Sequence, residues 1–181
     1  RHLFRQAVLA VKECHTQNII HRDIKLENFV CTQPDVIKLI DFGGSGVCSA
    51  STYITNKIFG TYVCMAPEMI LGGTYNQMVD LWSLGIFLYE LANKVNPFDN
   101  QEIQNTNTNT DKDTIDLVKL KLNIKYITYD FKVSTLSASL KNLITNLLQK
   151  AETRLTIDQV LNHPWMCSPT ITTQATQYRQ K

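Results

Sequence analysis

The segment His21-Arg22-Asp23-Ile24-Lys25-Leu26-Glu27-Asn28 crowds an aspartate, a lysine and an asparagine into a few polar residues between two apolar runs. Asp41-Phe42-Gly43 begins 18 residues after Asp23, and Ala66-Pro67-Glu68 follows further on. Carboxylate and amide oxygens are the hard donors that Mg²⁺ takes. Phosphoryl transfer needs such metal ligands, charge neutralised on the phosphate oxygens, and a hydroxyl held in line for attack. Phe29-Val30-Cys31 and the β-branched run from Val36 to Ile40 flank the turn-forming Thr32-Gln33-Pro34-Asp35, which predicts an antiparallel hairpin. Such a hairpin would bring Asn28, at its start, beside Asp41, just past its end, and that pair could hold Mg²⁺. Asp23 and Lys25 would lie on the adjoining edge, the carboxylate accepting a proton from an alcohol and the ammonium steadying a γ-phosphate. Those two roles are taken from the general phosphoryl-transfer template and not from the spacing.

The elements around these residues follow from periodicity. Leu3, Phe4, Ala7, Val8, Ala10, Val11 and Cys14 recur at spacings of three and four, predicting an amphipathic helix from the first residues to about His15. Tyr75 to Asn93 is apolar on nearly every face, which predicts a helix buried in the middle of a helical assembly and ended by Asn96-Pro97. Residues 43 to 65 open with three glycines in four positions, Gly43, Gly44 and Gly46, and then carry many Ser and Thr, so they read as a long mobile loop. Asp99 to Asp113, with its Asn-Thr repeats, reads as a low-complexity polar insertion. Further helices are predicted over Thr114 to Leu122, Ser137 to Leu148 and Thr156 to Leu161, with a polar tail after Trp165.

Composition sets limits. The chain has 181 residues, 44% of them hydrophobic, enough to bury one large core. Its net charge of +2 is scattered, giving no footprint for nucleic acid or an anionic membrane. Five cysteines form no C-x-x-C pair, which suits a reducing interior. The longest apolar run, Leu81 to Tyr89, is too short to span a bilayer. The opening Arg1-His2-Leu3-Phe4 carries neither Met nor a leader and reads as an excerpt. Trp82 and Trp165 read as core; His2, His15 and His163 lack metal-spaced partners and read as surface or packing residues.

Residues 21–28 match the H-R-D-x-K-x-x-N catalytic-loop pattern at every fixed position, and the triplets at 41–43 and 66–68 follow in the family's order. From the first helix to His163-Pro164-Trp165-Met166, the chain resembles the C-terminal lobe of a eukaryotic protein kinase of the serine/threonine type. The resemblance implies a mainly α fold: a helical bundle around a buried central helix, with a small β-hairpin carrying the active site and the N-terminal lobe absent. Residues 1–166 would be the lobe, 99–113 an insertion in it and 167–181 the tail. It implies ATP and Mg²⁺ as cofactors, with Asp23 and Lys25 catalytic, Asn28 and Asp41 on the metal and Val30 beneath the adenine ring. Asp80, within Asp80-Leu81-Trp82-Ser83-Leu84-Gly85, would hydrogen-bond the catalytic-loop backbone. Arg154 would pair with Glu68, and His21 and Phe42 would stack in a hydrophobic column.

Lys25 together with Gly60-Thr61 resembles serine/threonine rather than tyrosine kinases, Thr61 bridging Asp23 and Lys25. Glu27 and Glu90 stand where basophilic members meet an arginine upstream of the acceptor; the plain alternative is two ordinary surface or structural glutamates. The stretch from Tyr75-Asn76 to Asn96-Pro97-Phe98, with Leu161 to Trp165, is most similar to the calcium/calmodulin-dependent and calcium-dependent group. Several positions depart from the family pattern. Leu26 replaces a proline, Gly44 a bulky residue and Cys64 a tyrosine. Arg22 is the residue that pairs with an activation-loop phosphate in relatives, yet Lys57 occupies the customary phosphothreonine position. Thr55, Thr52 or Ser51 would substitute, or the loop orders without phosphate. No glycine-rich phosphate loop or strand lysine precedes the first helix, so the segment is expected to transfer phosphate weakly or not at all without its N-terminal lobe. Three readings follow: an active kinase seen as a fragment, a pseudokinase or scaffold that keeps the fold, and a relic of a truncated gene. The expected partners are a protein substrate and the missing lobe, with no nucleic acid and no membrane, in an intracellular setting that is cytoplasmic by default with the nucleus left open.

Overall fold

The computed structural model describes residues 1–48, 52–55, 57–98 and 110–167. Ser51, most of the expected insertion and the tail beyond Cys167 lie outside the described residues.

The first helix, α1 (His2–Thr16), turns Phe4, Ala7, Val8, Val11 and Cys14 inward, and its Arg1 N-cap makes no side-chain cap bond. The all-round apolar α3 (Met78–Asn93) buries residues on every side. It ends at Asn93, before Asn96-Pro97, because Lys94 adopts a left-handed conformation (φ 63°) and its N–H closes on Glu90 O at 2.8 Å. Gly85 sits where a β-carbon would stand 2.9 Å from both Leu147 and Leu148, so its lack of a side chain lets α5 (Ala138–Leu147) lie against α3. Ser137 caps α5, and Thr156 with Gln159 forms a capping box at α6 (Ile157–Leu161). A short α7 (Pro164–Cys167) buries Trp165 and Met166. Trp82 is fully buried, in agreement with its expected core role.

Among the described residues, three small antiparallel pairs decorate this bundle. The expected hairpin forms from β2 (Phe29–Gln33) and β3 (Val36–Leu39), with Phe29 opposite Leu39 and a bulge between Cys31 and Gln33. The stretch read as a mobile loop is instead pinned twice. Strand β4 (Gly46–Val47) pairs with β1 (Ile19–Ile20), and β5 (Ile54–Thr55) pairs with β6 (Thr74–Tyr75). Two-residue strands leave no alternating pattern, which is why composition alone suggested a loop. Pro67–Ile70 form α2.

Helix α4 (Thr110–Tyr126) starts four residues before the expected Thr114, so 110–113, counted in the expected insertion, are helical. Once Ile124 is buried and Leu120 packs on the core, turns propagate outward through residues with no apolar signal of their own. All five cysteines are free thiols. Among the described residues no helix is long and apolar enough to cross a membrane.

Candidate active site

Asp80 enters from the first turn of α3 with no exposed side-chain surface. Its Oδ1 accepts from the Arg22 N–H at 2.8 Å, and its Oδ2 accepts from the His21 N–H at 2.9 Å and lies 2.8 Å from His15 Nε2. A buried carboxylate is tolerable only with its lone pairs filled, and here three donors converge on it. Sequence placed Asp80 on the catalytic-loop backbone but missed His15, whose isolation in the chain gives no signal of a partner 65 residues away.

The residues that follow are held from several sides. Arg22 adopts φ 69° and Asp41 φ 62°, conformations that cost non-glycine residues energy and persist only where the surroundings enforce them. His21 uses both ring nitrogens: Nε2 donates to Ile40 O at 3.1 Å and Nδ1 accepts the Asp23 N–H at 3.3 Å. Its ring meets Phe42 edge-on, centroids 4.9 Å apart, so the two expected column members do touch. Ile40 N–H donates to Asn28 O at 2.9 Å, closing the hairpin base and placing Asp41 one residue beyond it.

Asp23 is the best-ligated carboxylate of the group. Its Oδ1 accepts from the Thr61 N–H (3.0 Å) and hydroxyl (2.9 Å), and its Oδ2 accepts from Asn28 Nδ2 (3.0 Å) and faces Lys25 Nζ at 3.0 Å. Lys25 also donates to Thr61 Oγ1 at 2.7 Å, so Thr61 bridges the pair as its position suggested. Burial opposes ionisation of Asp23, but the hydrogen bonds from Lys25, Thr61 and Asn28 outweigh it and hold the carboxyl below the usual range. Burial likewise works against the Lys25 ammonium, and the ion pair with Asp23 outweighs it, raising its pKa. At neutral pH the site holds a carboxylate and an ammonium side by side.

Thr61 reaches Asp23 because Gly60 precedes it. Gly60 has φ 101°, and a β-carbon there would lie 2.3 Å from Arg22 O. The glycine therefore permits a backbone approach that no other residue could make.

Asn28 is buried and spends its amide nitrogen on Asp23 O (2.7 Å) and Oδ2, which leaves its amide oxygen as the atom able to bind a cation. The Asp41 carboxylate is exposed and takes one backbone N–H, from Gly43 at 3.2 Å. An amide oxygen and a lightly used carboxylate fit Mg²⁺, which binds through one or two such groups and completes its shell with phosphate and water. Val30 lies on β2, 37% exposed.

Arg22 is buried and donates to Gly44 O (2.5 Å), Ser45 O (2.7 Å) and Tyr75 Oη (3.4 Å), with the Phe59 ring 4.4 Å from its guanidinium carbon. Tyr75 in turn donates to Lys57 O at 2.5 Å. Sequence missed Tyr75 and Phe59. Thr52 is exposed, and the Thr55 backbone pairs opposite Thr74. Ser51 lies outside the described residues.

Further from the cleft, Arg154 binds Glu68 through two bonds (2.8 and 3.1 Å) and spends its remaining N–H groups on Met78 O and Gln149 O, all five engaged. Glu90 is half-buried and accepts from Asn96 Nδ2 at 2.8 Å. Burial pushes its carboxyl up, the Asn96 bond opposes this, and repulsion from the exposed Glu27 adds to the rise.

Residues 1–166 match the family described as the protein kinase domain. The chain is 38% identical over 167 residues to an Aurora kinase of Debaryomyces hansenii, covering 91% of this chain and 37% of that protein. It is 33% identical over 175 residues to testis-specific serine/threonine-protein kinase 2 of Mus musculus, covering 93% and 45% respectively. With calcium-dependent protein kinase 22 of Arabidopsis thaliana the identity is 35% over 178 residues, covering 92% and 33%. The chain thus spans less than half the length of each of these relatives, and the calcium-dependent group is one of several it is similar to.

Thr61→Ala removes a side-chain donor that favours ionised Asp23, so in the full-length protein the Asp23 carboxyl is expected to titrate at higher pH than in the wild type. Carboxyl-carbon NMR checks this directly, and an unmoved midpoint would mean that Thr61 does not hold the charge.

Proposed function

The chain belongs to the protein kinase family, and we propose that in the whole protein these residues form the lower, helical lobe of a serine/threonine kinase, carrying its catalytic loop and metal ligands. The observation that carries this reading is the Asp23, Lys25 and Thr61 triangle, a carboxylate kept ionised beside an ammonium with a hydroxyl bridging them. Asp23 orients the acceptor serine or threonine and takes its proton; Lys25 presents its charge to the transferred phosphate. Asn28 Oδ1 and the Asp41 carboxylate hold Mg²⁺, which when bound neutralises charge on the phosphates of ATP. Val30 offers an apolar contact to the adenine ring. On this reading the phosphate-covering loop and its lysine come from another part of the protein, and residues 1–181 alone transfer phosphate weakly or not at all.

The acceptor segment lies along Ile58, Phe59 and Tyr62, apolar side chains 44–46% exposed on either side of Gly60-Thr61. Glu27 and Glu90 receive a basic residue upstream of the acceptor: burial lifts the Glu90 carboxyl and the Glu27 charge adds to the rise, so a cation beside Glu90 would be favoured. Arg22 is the anchor of the activation loop. A phosphate on Thr55, Thr52 or Ser51 would add charge-assisted bonds to those that Arg22 already makes with Gly44, Ser45 and Tyr75; the alternative is a loop ordered by these contacts alone.

In the full-length protein, Asp23→Asn is expected to abolish phosphate transfer to serine peptides while leaving the thermal midpoint in place. Transfer that persists would sink the assignment, and a wild-type protein that folds and binds partners without transfer would favour a scaffold. The same assay with peptides carrying or lacking an upstream arginine is expected to favour the former; equal rates would remove the basic preference.

Thr55→Ala is expected to lower turnover of the full-length protein by weakening loop order. Unchanged turnover would mean that the loop orders without a phosphate on Thr55.

A further inference from the structure

Helix α4 has two apolar faces. Leu120, Ile124 and, just past the helix, Ile127 face the core, with Ile124 fully buried. Val118, Leu122 and Tyr126 recur every four residues on the opposite side and remain 52%, 46% and 67% exposed. A surface helix needs only one apolar stripe to fold, so a second one, two turns long, calls for a covering partner. The stripe runs into a concavity of about 560 Å³ between α2 and the end of α4. Pro67, Leu71, Tyr126 and Ile127 form its apolar wall. Lys125 and Lys150 stand at it, and Lys119 and Lys121 follow along the same half of the helix. Of the two carboxylates lining the concavity, Glu68 is neutralised by Arg154, which leaves Glu152 against the lysines.

We propose that this stripe and concavity dock an acidic, amphipathic segment of another protein, with apolar residues at helical spacing along α4 and one bulky side chain in the concavity. The charge argues for an acidic partner, because lysines lie around the apolar row and along the rim. The concavity argues for a protein and not a bilayer, since a socket accepts a side chain whereas an anionic lipid surface would meet only the convex stripe. The surface is separate from the Asp23 cleft, so docking there recruits a partner without occupying the site of transfer.

The test uses the full-length protein and a fluorescent helical peptide of about 15 residues with Leu and Trp at helical spacing and Glu elsewhere. A copy with every Glu replaced by Lys, and vesicles of phosphatidylcholine with phosphatidylserine, serve as comparisons. The acidic peptide is expected to bind, with added salt weakening it, and the basic copy to bind at least about tenfold more weakly. Leu122→Asp and Lys125→Glu, both on the exposed side, are each expected to weaken acidic-peptide binding about tenfold with the thermal midpoint and transfer to a short serine peptide unchanged. The proposal is overturned by no binding of the acidic peptide, by equal binding of both peptides, or by binding that survives both substitutions. Vesicle binding or self-association that the same substitutions abolish would equally overturn it, by assigning the stripe to lipid or to a second copy.

Discussion

A carboxylate with no contact with solvent, Asp80, fastens the candidate site to the scaffold. It sits at the start of the most buried helix and collects the backbone N–H groups of His21 and Arg22 and the ring of His15. Leaving such a group without partners costs several kcal/mol, roughly the whole margin by which a domain is stable. The chain therefore cannot bury α3 without drawing residues 21 and 22 onto it. Asp23 comes next in sequence, and its position is a consequence of that packing.

From this anchor the restraint spreads outward. His21 carries it to Ile40, and so to the point where Asp41 leaves the hairpin. Arg22, turned into the left-handed region, carries it to the carbonyls of Gly44 and Ser45 and, through Tyr75, to Lys57. Thr61 closes the circuit on Asp23, by a route that only Gly60 allows. The second tether, Arg154 on Glu68, lies away from the cleft and pins α2, with Trp82 beneath the guanidinium at 5.2 Å. Strain at Arg22 and Asp41 is sustained because several elements share it.

Much of this was legible in the chain. Helices α1 and α5 stood out by their apolar periodicity, α3 by being apolar on nearly every face, and the hairpin by its β-branched runs around turn-forming residues. The residues of the candidate site stood out through motif spacing, and the contacts expected for Asp80, Thr61, Arg154 and the His21–Phe42 pair are all present. What escaped were contacts whose partners lie far apart and carry no local signature, such as His15 with Asp80 or Tyr75 with Arg22. The two short strand pairs in 43–65 escaped for a different reason: two residues are too few to show alternation. Helix α4 extended beyond its expected start because a helix propagates from a packed turn into polar sequence.

Hydrogen exchange at the amides of His21 and Arg22 tests the role of Asp80 most directly. Asparagine at position 80 keeps one accepting oxygen and turns an N–H₂ toward donors, so Asp80→Asn in the full-length protein leaves at least one of those amides without its acceptor. The account predicts that protection at one or both falls about tenfold or more while the amides in the middle of α3 keep theirs. Equal protection of His21 and Arg22 in the two proteins would contradict it, since the loop would then be held by something other than the buried carboxylate.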